Sequence, residues 1–257
     1  MLRKGDLTQG GITGTLLHFT LPMMVGSFLQ QCYNIADTLI VGQCIGAGAL
    51  AAVGSAYTLM VFLISVLLGL AMGSGTVFSL HYGAGNHVAL RRSIFSSFVL
   101  IGIVTLILNV AVFIWIDPIL RLLQVPQDIY GMMRSYLWII FCGIVFTFIY
   151  NFYASLLRAV GDSVTPLWFL AVSVVLNIAL DLFFILQLDW GIQGAAAATV
   201  FAQGVAALGI IIYTYRRRPE LRWHHEDMCF DRTCLKEIAS FSTLTCVQQS
   251  VMNLGIL

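Results

Sequence analysis

The chain has 257 residues, of which 59% are hydrophobic and only 10% are charged. A soluble domain carries about a quarter charged residues, so this composition excludes an ordinary soluble protein. The mean hydropathy of +0.91 instead predicts an integral membrane protein with the lipid bilayer as its surroundings. The net charge of +1 provides no broad basic surface, and we expect no nucleic-acid partner.

Six apolar runs are each long enough for a transmembrane helix, which needs about 20 mainly apolar residues. Pro22 lies in the first turns of the first run, where we expect a kink. Gly69 and Gly73 in the second run have the spacing of close helix packing. The sequence predicts an all-α, polytopic membrane helix bundle of six spans plus a partial seventh. The six spans are predicted at 16–45, 50–80, 94–116, 136–157, 167–188 and 192–215.

The basic residues predict the orientation of these spans. If the N-terminus is cytoplasmic, eleven of the 13 Lys and Arg residues fall in cytoplasmic segments, and only Arg121 and Arg134 fall outside. Cytoplasmic loops of membrane proteins carry an excess of Lys and Arg, so this assignment places the N-terminus inside. We therefore expect a protein integral to the cytoplasmic (plasma) membrane.

Composition divides the chain into three segments. Residues 1–215 hold the six-helix transmembrane lobe, residues 216–233 form a polar linker that we place in the cytoplasm, and residues 234–257 turn apolar again. Gln248 and Gln249 of the last segment echo Gln30 and Gln31 of the first span, as expected of a parallel internal repeat in a transporter. We interpret 234–257 as the truncated start of a second lobe, lying first at the membrane interface and then entering a seventh span.

Two carboxylates, Asp37 and Asp181, lie inside long apolar runs, and no other acidic residue does. A charge within the hydrocarbon costs about 2.5–3.5 kcal/mol on insertion scales. Such a residue is tolerated when it faces a cavity, pairs with a partner or carries protons or ions. We therefore expect the two carboxyl groups to lie close together on facing helices.

Polar side chains at helical spacing lead to each Asp. Gln30 and Asn34 share a face with Asp37, and Tyr33 lies one turn before it. Asn177 precedes Asp181 by four residues. The amides could simply join neighbouring helices by hydrogen bonds. Because both stripes end in an Asp, we favour a shared polar cavity.

The sixth run adds two further polar side chains, Thr199 and Gln203, which lie one turn apart. They are preceded by a row of small residues that allow neighbouring helices to approach closely. We expect Thr199 and Gln203 to face the same cavity. The cavity-lining candidates are thus Gln30, Tyr33, Asn34 and Gln203, beside Thr199 and the two carboxylates.

Four motifs, in chain order, resemble those of a known family, the multidrug and toxic compound extrusion (MATE) transporters. They are Tyr33-Asn34-Ile35-Ala36-Asp37-Thr38, Leu157-Arg158-Ala159-Val160-Gly161-Asp162, Asn177-Ile178-Ala179-Leu180-Asp181, and the segment from Gly191-Ile192-Gln193-Gly194 to Thr199.

This resemblance implies twelve helices in two six-helix lobes and the export of drugs or metabolites, with organic cations as the expected substrates, by antiport of H⁺ or Na⁺. It implies that Asp37, Asn177, Asp181 and Thr199 form the cation or proton site of the first lobe. It further implies no enzymatic activity, no cofactor other than the coupling ion, and a small-molecule substrate. We expect no resident metal ion. If the coupling ion is Na⁺ and not a proton, we expect it to bind at Asp37 and Asp181. Transport would need a second six-helix lobe.

Three other functions compete with this one. A flippase of lipid-linked saccharides, from the same superfamily, would hold phosphates with basic residues, but the spans carry Lys and Arg only at their ends. An intramembrane aspartyl protease also needs two membrane Asp residues, yet Asp181 follows Leu180 rather than the Gly that such enzymes require. The third alternative is a truncated fragment that does not transport. No phosphate-binding Gly-x4-Gly-Lys-Ser/Thr motif occurs, so we expect the energy to come from an ion gradient.

Overall fold

A computed structural model describes residues 12–223 and 232–254, and these residues form helices joined by short turns. Helices are the expected solution in a bilayer, because all backbone polar groups are then bonded within one segment. The predicted all-α bundle is confirmed. The helices are α1 (Ile12–Cys44), α2 (Ala47–Gly83), α3 (His87–Leu122), α4 (Gln127–Cys142), α5 (Ile144–Ala159), α6 (Val164–Leu182), a π-helix (Phe183–Gln187), α7 (Gly191–Arg217), a 3-10 turn (Pro219–Leu221) and α8 (Arg232–Leu254).

Four of the described helices are long and apolar enough to cross a membrane: α2, α3, α6 with its π-helix, and α7. The pair α4 and α5, bent by 47°, would make a fifth span. Helix α1 has 33 residues and continues through Pro22, but it is not among the helices that meet the criteria of length and apolar composition. Length and composition therefore support five of the six predicted spans.

The predicted fourth span is broken at Gly143, which separates α4 from α5. A Cβ atom at Gly143 would lie 2.5 Å from a methyl carbon of Val200 on α7, so only glycine lets the two helices meet there. The Asn109 side chain of α3 donates a hydrogen bond of 2.7 Å to the Phe141 carbonyl just before the break. The bond satisfies a carbonyl near the break, as the apolar interior of a membrane requires.

The interior of the bundle is packed by aromatic rings. Phe98 of α3 lies 5.3 Å from Phe148 and 5.2 Å from Phe152 of α5, measured between ring centroids, and Phe78 of α2 lies 5.9 Å from Phe152. Large apolar side chains also cover the outside of the bundle, among them Leu106, Ile114, Trp168, Val175 and Leu208. Apolar groups on both sides of the helices are expected of a bundle that is surrounded by lipid.

Helix α8 packs lengthwise and antiparallel against α2. Cβ atoms built on Gly69 and Gly73 would lie 2.5 Å and 2.4 Å from the Cα atoms of Cys246 and Ser242, respectively. One turn further along, Ile238 packs against Val77. At the end of the contact, His81 Nε2 lies 3.5 Å from a carboxylate oxygen of Glu237. The small residues of α2 thus allow α8 to lie alongside it, whereas the expected position of this segment at the membrane interface stays a prediction. The spacing of Gly69 and Gly73 did predict close packing.

Ion pairs and caps show which loops share an end of the bundle. The Asp162 carboxylate accepts hydrogen bonds from the backbone N–H (3.0 Å) and the hydroxyl (2.8 Å) of Thr165 at the start of α6. The same carboxylate lies 3.6 Å from an Arg218 guanidinium nitrogen just after α7. The turn between α5 and α6 and the end of α7 therefore lie at one end of the bundle. The turn at 188–190, between the π-helix and α7, lies at the opposite end. Of the predicted linker 216–233, residues 224–231 lie outside the described residues.

Candidate functional site

Three helices position the candidate site. Helices α1 and α6 run parallel: Gly26 lies against Leu167 near the start of α6, and Asp37 lies against Asp181 near its end. Helix α7 returns antiparallel beside α6, so its Thr199 comes level with Asn177. The polar stripes of three apolar segments therefore meet inside the bundle, nearer to the end that carries the turn at 188–190.

The two membrane carboxylates contact each other. The carboxyl group of Asp37 lies within hydrogen-bonding reach of the carboxyl group of Asp181. Asp181 is fully buried, and Asp37 is 9% exposed. The Oδ1 atom of each has no hydrogen-bond partner among the described residues. The sequence-based expectation that these carboxylates lie together on facing helices agrees with this arrangement.

A chain of hydrogen bonds leads away from Asp181. When the Asn177 amide group faces Asp181, its nitrogen donates to Oδ2 of Asp181 at 3.0 Å. The Asn177 oxygen then accepts from the Thr199 hydroxyl at 3.3 Å and from the Thr199 backbone N–H at 3.2 Å. The Tyr33 hydroxyl lies 3.2 Å from Thr199 Oγ1 and acts as the donor, because the Thr199 proton is already used. Every member of the chain is thereby oriented by its neighbour.

Two carboxylates in contact cannot both ionise without strong repulsion, since a low-dielectric interior screens them poorly. One proton bound between Asp37 and Asp181 relieves the repulsion. A single cation bound to their oxygens relieves it equally, because hard cations prefer oxygen ligands. The fixed donor from Asn177 leaves Oδ1 of Asp181 as the oxygen available to either occupant. Either a proton or a cation at this position would therefore neutralise the pair.

Sequence reasoning missed Tyr136, a buried residue of α4 that is 4% exposed. Its hydroxyl lies close enough to Asp37, Tyr33 and Asp181 to interact electrostatically with all three. Tyr136 is the first residue of the predicted fourth span. No polar residue lies at helical spacing from it, so no sequence pattern indicated that its side chain faces a cavity. The tyrosine adds a fourth helix to the site.

The remaining cavity candidates are distributed differently. Asn34 is half-buried and its amide donates to the side chain of Gln31 at 3.1 Å, whereas Gln30 is exposed. Gln203 accepts a hydrogen bond from the hydroxyl of Thr147 on α5. Of these residues, Gln203 therefore joins two helices, which is the role that the sequence analysis gave as the alternative for membrane amides.

Buried acidic, amide and hydroxyl side chains that converge from four membrane helices define the class: a polytopic membrane protein with an intramembrane polar site, as transporters have. The MatE family model matches residues 22–183, which include both carboxylates and Asn177. The chain therefore belongs to the MATE family of multidrug efflux transporters. Members of this family are transporters and not enzymes.

Curated relatives agree with the family. The chain is 36% identical over 217 residues to the probable multidrug resistance protein YpnP of Bacillus subtilis, covering 84% of this chain and 49% of that protein. It is 31% identical over 210 residues to the multidrug export protein MepA of Staphylococcus saprophyticus, covering 79% of this chain and 45% of that protein. The chain thus spans about half the length of the curated relatives it matches.

Solved structures share the fold. A multidrug resistance MATE family transporter of the MOP superfamily, solved in an outward-facing conformation, superposes with a TM-score of 0.92 at 24% identity. The match covers 100% of this chain and 57% of that one. A MOP superfamily transporter from Pyrococcus furiosus, described as having a binding pocket of reverse polarity and a different function, superposes with a TM-score of 0.88 at 25% identity. The fold is therefore shared with a transporter whose binding pocket is described as being of reverse polarity.

Proposed function

We propose that this chain forms the first lobe of a secondary active exporter that expels drugs or metabolites against an inward flow of H⁺ or Na⁺. The observation that carries the proposal is the contact between the buried carboxyl groups of Asp37 and Asp181. Among the described residues, each carboxyl group interacts with the other and not with a Lys or Arg side chain, and neither Oδ1 atom has a hydrogen-bond partner. The charge that compensates it must then come from a mobile ion or from the substrate.

The hydrogen-bond chain assigns a role to each neighbour in this mechanism. Asn177 orients Asp181, and Thr199 offers a hydroxyl oxygen at the edge of the pair. Tyr33 holds Thr199 in place from α1. Entry of a proton or Na⁺ neutralises the carboxylates and releases a bound cation, whereas loss of that ion allows the next substrate to bind. The coupling comes from competition for one negative site.

The proposed substrate class follows from the negative charge of the site. A carboxylate pair attracts cations, and two aromatic residues, Tyr33 and Tyr136, lie close to it. The relatives named for multidrug resistance or export are in keeping with such a broad preference. We therefore propose drug-like or metabolite organic cations as the substrates.

Alternating access requires a second half. We propose that residues 1–215 act as one lobe, that 216–233 link it in the cytoplasm, and that 234–257 begin the second lobe of a protein in the plasma membrane. The solved transporters that share the fold are nearly twice as long as this chain, which supports that division. Opposite rocking of two lobes around a central site is how repeat-built transporters alternate access.

A lipid-linked saccharide flippase remains the second candidate, because the fold also carries a pocket described as having reverse polarity. Function follows the site and not the fold. A phosphate-bearing substrate needs cationic side chains, whereas the site between α1, α6 and α7 presents two carboxylates. The charge at the site thus favours the cation exporter. A truncated fragment that does not transport is the third candidate.

The test is drug efflux in a drug-sensitive bacterial host. The chain is expressed alone and also joined to the second half of the B. subtilis relative, each as wild type, Asp37→Asn and Asp181→Asn. Asp128→Asn, an exposed acidic residue of α4, is the control. We expect the joined wild type and the control to confer resistance that collapses when the H⁺ or the Na⁺ gradient is dissipated.

Each Asn variant is expected to remain in the membrane and lose resistance. Resistance that survives both Asn substitutions and both ionophores would overturn the proposed coupling. Resistance from the chain expressed alone would overturn the need for a second lobe. If neither form of the wild type confers resistance while both reach the membrane, the non-transporting alternative is the correct one.

A further inference from the structure

A second cleft lies at the end of the bundle opposite the Arg218 loop. Its volume is about 490 Å³, and it is lined by Ile139 of α4, by Asp189 and Trp190 of the turn before α7, and by Gln193 and Ala197 of α7. Clefts that hold drug-sized ligands span roughly 300–1,000 Å³. The cleft combines a carboxylate, an indole ring, an amide and an apolar wall, none of which takes part in the Asp37–Asp181 site.

The indole of Trp190 is held in a fixed position. Its ring stacks on Phe184 with a centroid distance of 5.2 Å and an interplanar angle of 26°. Its backbone N–H donates to the Phe184 carbonyl at 3.1 Å. A Cβ atom on Gly194 would lie 3.2 Å from the Trp190 Cβ, so α7 packs tightly behind the ring. Because the side chain is still 52% exposed, part of this fixed aromatic surface is available to a ligand.

The backbone around Trp190 is specialised. Asp189 has a φ of 53° and Gly191 has a φ of 54°, both in the left-handed region that Asp adopts with modest strain and Gly with none. The preceding residues, Phe183–Gln187, form a π-helix, an element that is rare and frequent at functional sites. Together these features turn the chain so that the Asp189 carboxylate and the Trp190 ring line the same cleft.

The charge of Asp189 is not used within the fold. Its side chain is exposed, and in the described part of the chain no hydrogen bond or ion pair engages it. The neighbouring acidic residue at this end, Asp117, is by contrast held by Arg134 at 2.9 Å and by Tyr130 at 2.8 Å. A carboxylate beside an aromatic face is the arrangement that attracts organic cations, through charge and through the ring quadrupole.

The cleft lies beyond the carboxylate pair, toward the end of the bundle at 188–190. Asp189 follows Asp181 along α6 and the π-helix by eight residues, which is about 12 Å along a helix axis. The predicted orientation places this end on the outer side of the membrane. A cation that leaves the carboxylate pair toward the outside would reach this cleft next.

We infer that the Ile139, Asp189, Trp190, Gln193 and Ala197 cleft is a second, peripheral binding site for hydrophobic organic cations, at the mouth of the bundle. Asp189 supplies the counter-charge, the Trp190 face covers the cationic centre, Gln193 offers a hydrogen bond, and Ile139 and Ala197 contact the apolar body of the ligand. This inference rests on the proposed function for its substrate class, but its ligand contacts are independent of Asp37 and Asp181.

The test is equilibrium dialysis of tetraphenylphosphonium against the purified 257-residue chain in uncharged detergent micelles. The variants are Asp189→Asn, which keeps a residue tolerant of the left-handed backbone, and Trp190→Leu, which keeps the apolar bulk. Asp128→Asn and Trp115→Leu, exposed residues that do not line the cleft, are matched controls. The double variant Asp37→Asn with Asp181→Asn reports on the buried pair. Elution as a single species by gel filtration checks the fold of each.

We expect Asp189→Asn and Trp190→Leu each to weaken binding about fivefold, as the loss of one exposed charge pair or one cation–π contact does. The two controls should bind like wild type. The double variant should lose only the binding that depends on the buried pair, and should keep the component that Asp189→Asn and Trp190→Leu weaken. Higher salt should weaken wild-type binding more than Asp189→Asn binding, because the attraction is screened.

Binding that is lost in the double variant but retained in Asp189→Asn and Trp190→Leu would overturn the inference and leave the proposed coupling site standing. Absence of saturable binding to the wild type, or equal binding by all variants, would also overturn it. Conversely, loss of binding in Asp189→Asn together with normal efflux in Asp37→Asn would support the cleft and overturn the coupling site, so the two failures are distinguishable.

Discussion

The carboxyl group of Asp37 on α1 contacts that of Asp181 on α6, and neither Oδ1 atom has a hydrogen-bond partner in the described part of the chain. Such a contact costs free energy twice, first by desolvation of each group and then by their mutual repulsion. Packing alone would favour an apolar pair at these two positions. A bound proton or cation would offset both costs, as the proposed ion exchange requires.

Thr199→Val tests the hydrogen-bond chain that orients the pair. The substitution removes the hydroxyl that Tyr33 and Asn177 both use, and leaves buried polar groups without partners. We expect a loss of about 1–3 kcal/mol in the free energy of unfolding, measured by thermal denaturation in detergent micelles. Thr214→Val is the matched control, since its buried hydroxyl bonds only to the Ile210 carbonyl of its own helix. Equal destabilisation by both variants would show that the chain through Thr199 contributes nothing specific.

Most of the candidate site could be predicted from the sequence, because a charged residue in an apolar run costs free energy and is therefore rare. Asp37 and Asp181 identified the site, and the four-residue step from Asn177 to Asp181 identified a neighbour on the same face. Thr199 was predicted from its position on the sixth apolar run, which is the third run that contributes to the site. Tyr136 escaped because an aromatic residue near the start of a span usually reads as an interfacial anchor. Its position depends on the tertiary packing of α4, which periodicity does not encode.

The helix break at Gly143 was not predicted from the sequence, for a related reason. The residues on both sides of it are apolar and carry no proline, so the composition of the run is uniform. The kink depends on the approach of Val200 from α7, a contact between segments that are distant in sequence. For α2, the spacing of Gly69 and Gly73 indicated a close neighbour but could not identify α8 as that neighbour. Small residues predict the distance between helices and not their pairing.

Gly73→Ala tests the packing of α8 on α2. The new Cβ would lie 2.4 Å from the Ser242 Cα, and backbone cannot move away as a flexible side chain can. We expect a lower melting temperature in micelles, from a penalty of about 1–3 kcal/mol for overpacking. Gly54→Ala in the same helix meets no atom within 4 Å and should be neutral or stabilise by about 0.5–1 kcal/mol. If Gly73→Ala behaves like Gly54→Ala, α8 does not lie against α2 in the bilayer.

Gly143→Ala tests the bend between α4 and α5. The added methyl group would lie 2.5 Å and 2.8 Å from the two methyl carbons of Val200, whose β-branched side chain has little rotamer freedom to yield. We expect destabilisation that the second substitution Val200→Ala reverses in part. A double-mutant cycle should give a coupling of about 0.5–3 kcal/mol. Gly131→Ala in α4, where nothing lies within 4 Å, controls for helix propensity. Additive effects of the two substitutions would mean that Gly143 and Val200 do not touch.

Cysteine labelling from outside the cell tests the predicted orientation, on which the outer position of the Asp189 cleft depends. In a variant with all six native cysteines replaced, His87→Cys marks the start of α3, and Leu123→Cys marks the turn after it. Both positions are exposed, so access to each is set by the membrane and not by packing. The excess of arginine at the His87 end predicts that this end is cytoplasmic. A membrane-impermeant maleimide should therefore label position 123 in intact cells, and position 87 only after the cells are permeabilised. Labelling of position 87 but not of position 123 in intact cells would reverse the topology and place the Asp189 cleft on the cytoplasmic side, where it would meet substrates on entry instead of on release.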